Sequence, residues 1–364
     1  MPQRLEALKN WLADVLNAEG YGFQQNGKRK NVDFQLTPAS SDASFRRYFR
    51  VTINRVKPSP DHVFSEIYAR SVSDSPPTLI VMDAPPDKEQ TQPFVRIAKM
   101  LADIGLNAPR IIAQNTEQGF LLLSDLDNQV YLDVLDEQVL NEGVIDRLYA
   151  DALDALFVMQ RDAPRDSAIL PVYDEALLQR EMALFRDWYC EQYRKTAFSS
   201  EQLAGLDAVF QRLSDAAVAQ PQVFVHRDYH SRNLMRTEQN NPGILDFQDA
   251  VVGPVTYDLV SLLRDCYIAW PRQRVERWAL DYLQRVADAG LIPHESDTTY
   301  LRWFDWMGVQ RHLKATGIFA RLYLRDGKAG YLDDIPRTLN YVHEVSARYP
   351  ELQALQQLLD EVAE

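Results

Sequence analysis

The chain has 364 residues, 46% of them hydrophobic, which is enough for a sizeable core and suits two lobes rather than one. A formal net charge of −13 argues against a nucleic-acid surface or an anionic membrane as the main partner, while leaving room for a locally positive nucleotide site. Cys190 and Cys266 give neither a disulfide framework nor zinc spacing and read as buried thiols of a reducing cytoplasm, and no stretch has the length of a membrane span.

Residues 3–18 carry apolar positions at helical spacing (Leu5, Leu8, Leu12, Val15) and predict an amphipathic helix, not a signal peptide. The polar stretch up to Val32 reads as a loop. A strand at 33–37 is followed by a small, polar loop through Phe45 and a strong strand at 46–53. Within the proline-rich region 57–77, a helix is expected at 61–72. Thr78–Asp83 is a buried strand by its β-branched run. A helix at 91–104 and strands at 108–113 and 119–123 come next. From about residue 140 the pattern turns helical, with helices at 144–160, 174–195 and 201–219. The last three segments, 275–289, 297–325 and 335–349, are helical too, with a polar tail after them.

The most informative stretch is 223–249. Val223-Phe224-Val225 runs into His226-Arg227-Asp228, and Asn233 follows Asp228 by five residues. Leu234-Met235, the turn Asn240-Asn241-Pro242-Gly243 and Ile244-Leu245 then form a hairpin that delivers Asp246-Phe247. These are the parts of a phosphoryl-transfer site. Asp228 is placed to accept the proton of an attacking hydroxyl. Asn233 and Asp246 offer hard oxygen ligands to Mg²⁺, and the hairpin brings them to one place.

His226-x-Asp228-x-x-x-x-Asn233 with Asp246 resembles the aminoglycoside phosphotransferase and choline kinase superfamily, small-molecule relatives of protein kinases. Gln248 stands where protein kinases have the glycine of Asp-Phe-Gly, which favours the small-molecule branch. HRDYHSRNLM, GILDFQDAVVGPVTYDLVSLLRD and SSDASFRRYFRV are similar to the amino-sugar kinases of bacterial cell-wall recycling. The resemblance implies an α+β, two-lobed, protein-kinase-like fold, with a mainly β N-lobe at 1–125 and a mainly α C-lobe at 126–364. It implies ATP and Mg²⁺ as cofactors, with ATP between the lobes. The implied acceptor is the C1 hydroxyl of N-acetylmuramate or N-acetylglucosamine, and no obligate protein partner is evident.

The resemblance also distributes roles. Ser40, Ser41, Asp42, Ala43 and Ser44 would cover the nucleotide phosphates, with Arg46 beside them, although a plain hairpin turn suits the same residues. Asp125 and Leu126 would form the hinge that reads adenine through its backbone; Asp125 equally suits a helix N-cap near Gln129. The strand position of the usual ATP-binding Lys holds Met82 or Asp83, and the helix at 91–104 contains no Glu, so the usual Lys–Glu pair is absent; either Lys88, Arg96, Lys99 or Arg46 neutralises the phosphates instead, or the site is degraded. Asp258 would brace the catalytic loop, and Asp249 is a further candidate ligand or support. Arg264, Asp265, Trp306, Arg311 and His312 are candidates for the acceptor pocket, since aromatic faces stack on sugars and cations suit a carboxylate; each also suits plain packing. An aminoglycoside, choline or other alcohol kinase, or a non-catalytic nucleotide-binding module, are the alternatives.

Overall fold

The computed structural model describes residues 2–18, 23–25, 28–30, 32–41, 45–54, 78–135 and 142–363. Asp42, Ala43, Ser44 and the helix expected at 61–72 lie outside them. Two compact units are present, Met1–Asp127 and Asn128–Glu364. The class is α+β, with the main sheet in the first unit and most helices in the second.

The first unit is built on five antiparallel strands: β3 (Phe34–Ser41), β4 (Arg47–Ile53), β5 (Thr78–Asp83), β7 (Phe120–Ser124) and β6 (Ile111–Asn115), in that spatial order. Alternation sets its inner face. Val51 and Ile53, Leu79 and Val81, and Phe120 and Leu122 cluster with Leu8, Leu12 and Leu16 of α1 (Pro2–Ala18). The alternate residues Met82, Leu121 and Leu123 are buried as well, so the sheet is covered on both faces. Helix α2 (Gln92–Asp103) packs beside β6. The stretch read as a loop before Val32 instead contains a short hairpin, β1 (Phe23–Gln25) with β2 (Lys28–Lys30); three-residue strands leave too little periodicity to detect.

The second unit contains α3 (Tyr131–Val134), α4 (Glu142–Asp162), α5 (Glu175–Leu184), α6 (Ser200–Val218), α7 (Tyr257–Leu263), α8 (Arg272–Asp288), α9 (Asp297–Asp326), α10 (Ile335–Ser346) and α11 (Gln353–Ala363). Helix α5 runs on as a π-helical stretch, Phe185–Tyr193, whose aromatic stripe lies in the core as a packing surface. The 30-residue α9 is the axis, packed by α5, α6, α7, α8 and α10. A Cβ on Gly317 would stand 2.2 Å from the backbone carbon of Leu184, so only glycine permits this approach of α9 to α5. The tail read as polar forms α11, because Leu355, Leu358, Leu359 and Val362 recur at helical spacing and are buried.

Two antiparallel pairs hold the stretch 223–249. In the first, β8 (Gln222–Val225) pairs with β11 (Val251–Pro254). In the second, β9 (Leu234–Met235) pairs with β10 (Gly243–Ile244), which is the expected hairpin. Its turn is tied down by Asn241, which bonds the Tyr131 hydroxyl at 2.6 Å and Asp151 at 2.8 Å.

Candidate active site

Strand β8 ends at Val225, and the chain turns sharply through His226, Arg227 and Asp228. The turn is held from beneath by Asp258, in the first turn of α7 and fully buried. One of its oxygens accepts the His226 N–H at 2.6 Å and the other the Arg227 N–H at 2.9 Å. Burial pushes the Asp258 carboxyl up to about 7 against the pull of those two donors. Arg227 sits at φ 78°, a left-handed conformation that costs a non-glycine residue about 1–2 kcal/mol. Both ends of the residue are anchored: Asp258 takes its N–H, and Glu181 of α5 takes its guanidinium.

The loop then closes on itself. The His230 N–H donates to the Asp228 carbonyl at 3.1 Å, and the Asn233 N–H donates to the His230 carbonyl at 2.9 Å. The Asn233 amide donates to the Asp228 carbonyl at 3.0 Å and lies 3.4 Å from an Asp246 carboxylate oxygen. Gln248 donates to the other Asp246 oxygen at 2.7 Å. The Leu245 N–H donates to the Asn233 carbonyl at 2.9 Å, which locks the two strands of the hairpin together next to these side chains. Asp246 is at φ 61°, a second non-glycine residue in the left-handed region, as is common where backbone strain positions a functional group. Asp228, Asn233 and Asp246 therefore converge and stay partly open to solvent, while Asp249 is exposed.

Burial works against ionisation of Asp228, but Lys314, His230, Arg311 and Arg227 outweigh it and hold the carboxyl below its ordinary value. Lys314 acts most strongly among these charges. It lies on α9, buried, with its ammonium 3.0 Å from the Tyr257 hydroxyl and 3.3 Å from Glu181. Glu181 also accepts from Tyr173. Glu181 and Lys314 were missed as a pair because they lie on helices distant in sequence. The available signal was a run of polar residues (Gln310, Arg311, Lys314) in the middle of a long helix, where the apolar positions around them predict a core.

A metal fits this donor set. Among the described residues, no group of three or more His, Cys, Asp or Glu side chains could hold an ion. What the loop and hairpin offer is one carboxylate and one amide oxygen. Mg²⁺ takes few protein ligands of this kind when phosphates and water complete its shell.

The other candidate residues are distributed as follows. Arg264 caps the end of α7, stacks 4.8 Å from the Tyr341 ring centroid and pairs with Glu344 at 3.1 Å. Asp265 lies beyond the helix, not along it, and is buried. Its oxygens accept the Ser231 and Tyr267 N–H groups, each at 2.9 Å. Trp306 is in the helical core against Tyr349, with Arg302 over its ring. Arg311 is buried beside the Cys266 thiol at 3.6 Å. His312 bonds the Arg264 carbonyl at 2.7 Å, and burial pushes its pKa down to about 3, so its ring is neutral.

In the first unit, Ser40 and Ser41 belong to β3, opposite Tyr48 and Arg47, where a loop was expected. Arg46 pairs with Glu89 at 3.2 Å, and Glu89 also accepts the Phe45 N–H at 3.1 Å. A cation–carboxylate pair is thus present, with its acid in the turn before α2 and not in the helix. Asp83, one of the two candidate positions for the absent lysine, is buried and held by Arg4 at 2.7 Å and by Arg47. Asp125 is clasped by Arg50 through two bonds of 2.6 and 3.1 Å and accepts the Asp127 N–H. It does not cap a helix: α3 begins at Tyr131, and its capping position is Val130. Leu126 follows the end of β7 in irregular backbone.

Residues 35–294 match the Phosphotransferase enzyme family. The chain is 46% identical to the N-acetylmuramate/N-acetylglucosamine kinase of Pseudomonas putida, covering 99% of this chain and 96% of that one. Proteins of the same name from Pseudomonas aeruginosa and Neisseria meningitidis are 44% and 41% identical, again over 96% of their lengths and 98% and 99% of this chain. Choline kinase from Cryptosporidium parvum has a similar structure, with a TM-score of 0.60 at 12% identity over 96% of this chain and 99% of that one. An ADP-bound aminoglycoside phosphotransferase gives 0.53 at 14% identity over 92% and 98%. These two show a shared kinase-like fold. The chain belongs to the Phosphotransferase enzyme family.

Proposed function

We propose that the chain transfers the γ-phosphoryl group of ATP to the anomeric C1 hydroxyl of N-acetylmuramate, N-acetylglucosamine or both, as a cytoplasmic step of peptidoglycan recycling. The observation that carries this reading is the 41–46% identity, over nearly full length, to three proteins that bear that substrate pair in their names. The loop chemistry supports the reaction type. Asp228 orients the sugar hydroxyl and takes its proton as the oxygen–phosphorus bond forms and ADP leaves. A cationic surround of Lys314, Arg311 and Arg227 keeps Asp228 ionised for that task. Asn233 and Asp246 would hold Mg²⁺, which would supply positive charge to neutralise the phosphates. On the nucleotide side we assign Arg46, steadied by Glu89, as the cation in place of the usual lysine, with Ser40, Ser41, Asp42, Ala43 and Ser44 around the phosphates and the backbone at Asp125 and Leu126 toward adenine.

Phosphoryl transfer passes through a loose transition state, so positioning and charge neutralisation supply most of the rate. That is why a loop braced at every turn suits the chemistry better than a reactive nucleophile would. The test is to incubate purified protein with ATP, Mg²⁺ and each sugar and to follow the product by phosphorus NMR. An anomeric phosphate without a reducing end is expected. A product that still reduces would move the transfer to another hydroxyl, and ADP formation with an aminoglycoside or choline alone would overturn the sugar assignment.

A further inference from the structure

Arg232 lies on the same loop as Asp228, immediately before Asn233. Its guanidinium carbon is 3.6 Å from the centroid of the Tyr267 ring and 5.8 Å from that of Tyr331. This is a close cation–aromatic contact, and the Arg232 side chain is 40% exposed. Asp334 is 3.8 Å away, too long for a hydrogen bond, so the donors of Arg232 are not committed to it. Arg337 shares Asp334 at 3.2 Å, bonds the Cys266 carbonyl at 2.8 Å and is 38% exposed. Two guanidinium groups thus flank the Asp334 carboxylate, with buried Asp265 close by, and both arginine side chains stay partly exposed.

The contact is built, not incidental. Buried Asp265 bonds the N–H of Ser231, the residue before Arg232, and the N–H of Tyr267, the ring on which Arg232 rests. One carboxylate therefore fixes both halves of the platform and spends its oxygens in doing so. Tyr331 is held in turn by stacking on Phe319 at 5.6 Å. The arginines proposed from sequence for an acidic substituent are differently employed: Arg311 is buried among α9 neighbours, and Arg264 is occupied with Tyr341 and Glu344.

We propose that Arg232 and Arg337 form a carboxylate-binding subsite that receives the lactyl group of N-acetylmuramate, and that Arg232 thereby sets the preference between the two sugars; this rests on the amino-sugar kinase reading above. The two acceptors differ only by that ether-linked lactyl carboxylate on C3, across C2 from the reacting C1. A forked guanidinium on the same loop as the base suits it, and planar guanidinium–carboxylate pairing is among the stronger polar contacts available.

The experiment compares kcat and KM for both sugars in wild type, Arg232→Gln, Arg232→Lys and Arg337→Gln, with N-acetylglucosamine turnover as the internal check on folding. In Arg232→Gln, the ratio of kcat/KM for N-acetylmuramate to that for N-acetylglucosamine is expected to fall about tenfold or more, mainly through KM, as loss of a charged hydrogen bond predicts. Arg232→Lys should restore part of the ratio, and Arg337→Gln should lower it. An unchanged ratio in Arg232→Gln, or a wild type active on N-acetylglucosamine alone, overturns the subsite while leaving the kinase reading standing. A wild type that phosphorylates neither sugar overturns the kinase reading and the subsite with it.

Discussion

Replacing Asp258 with alanine tests the brace under the turn at His226, Arg227 and Asp228. The substitution removes both acceptors from the His226 and Arg227 N–H groups, which are otherwise bonded at 2.6 and 2.9 Å. Leaving a buried donor unsatisfied costs about 1–3 kcal/mol, so two would cost about 2–6 kcal/mol. The upper end is not reached, because burying the carboxylate is itself unfavourable and pushes its pKa up to about 7. A loss of about 2–3 kcal/mol is expected. Arg227, already in a left-handed conformation, would relax and carry Asp228 with it. A misplacement of about 1 Å costs on the order of 10²-fold in rate, so kcat should fall by about that factor. The pH dependence has a definite sign. A folded pKa above the ordinary carboxyl value means that the stability this group contributes is present at acid pH and lost as pH rises through about 7. The deficit of Asp258→Ala relative to wild type should therefore narrow over that rise. Urea unfolding from pH 5 to pH 8, beside steady-state kinetics, would measure both effects. An unfolding midpoint and turnover matching those of wild type would refute the brace.

Other substitutions separate the remaining roles. Asp228→Asn should lower turnover by about 10²–10⁴-fold while calorimetry finds ATP affinity nearly unchanged, and wild-type turnover would remove Asp228 as the base. Lys314→Met takes away the strongest of the charges that hold the Asp228 carboxyl down, leaving Glu181 with Arg227 and Tyr173. The Asp228 pKa should then rise and the acid limb of the pH–rate profile move to higher pH; an unmoved limb contradicts the electrostatic role. Gly317→Ala drives a methyl group into the Leu184 backbone at 2.2 Å, and a thermal scan should register a loss of about 3 kcal/mol or more.

Local chemistry made much of this protein legible without a structure. The β strand, His226-Arg227-Asp228, the five-residue step to Asn233 and the hairpin to Asp246 lie within one short stretch, so spacing alone predicted their convergence. The buried strands and amphipathic helices were readable because each periodicity records which face meets the core. What the sequence could not decide were interactions whose partners are far apart along the chain. Lys314 meets Glu181 across two helices, Arg46 finds Glu89 in a turn where a helical acid was sought, and Asp265 bonds Ser231 and Tyr267 from beyond the end of its helix. Side-chain direction is set by packing, which the linear order of residues does not contain. By residue type, Trp306 and Arg311 were as plausible against a sugar as in a core; the tertiary structure buries both and leaves Arg232 and Arg337 open to solvent.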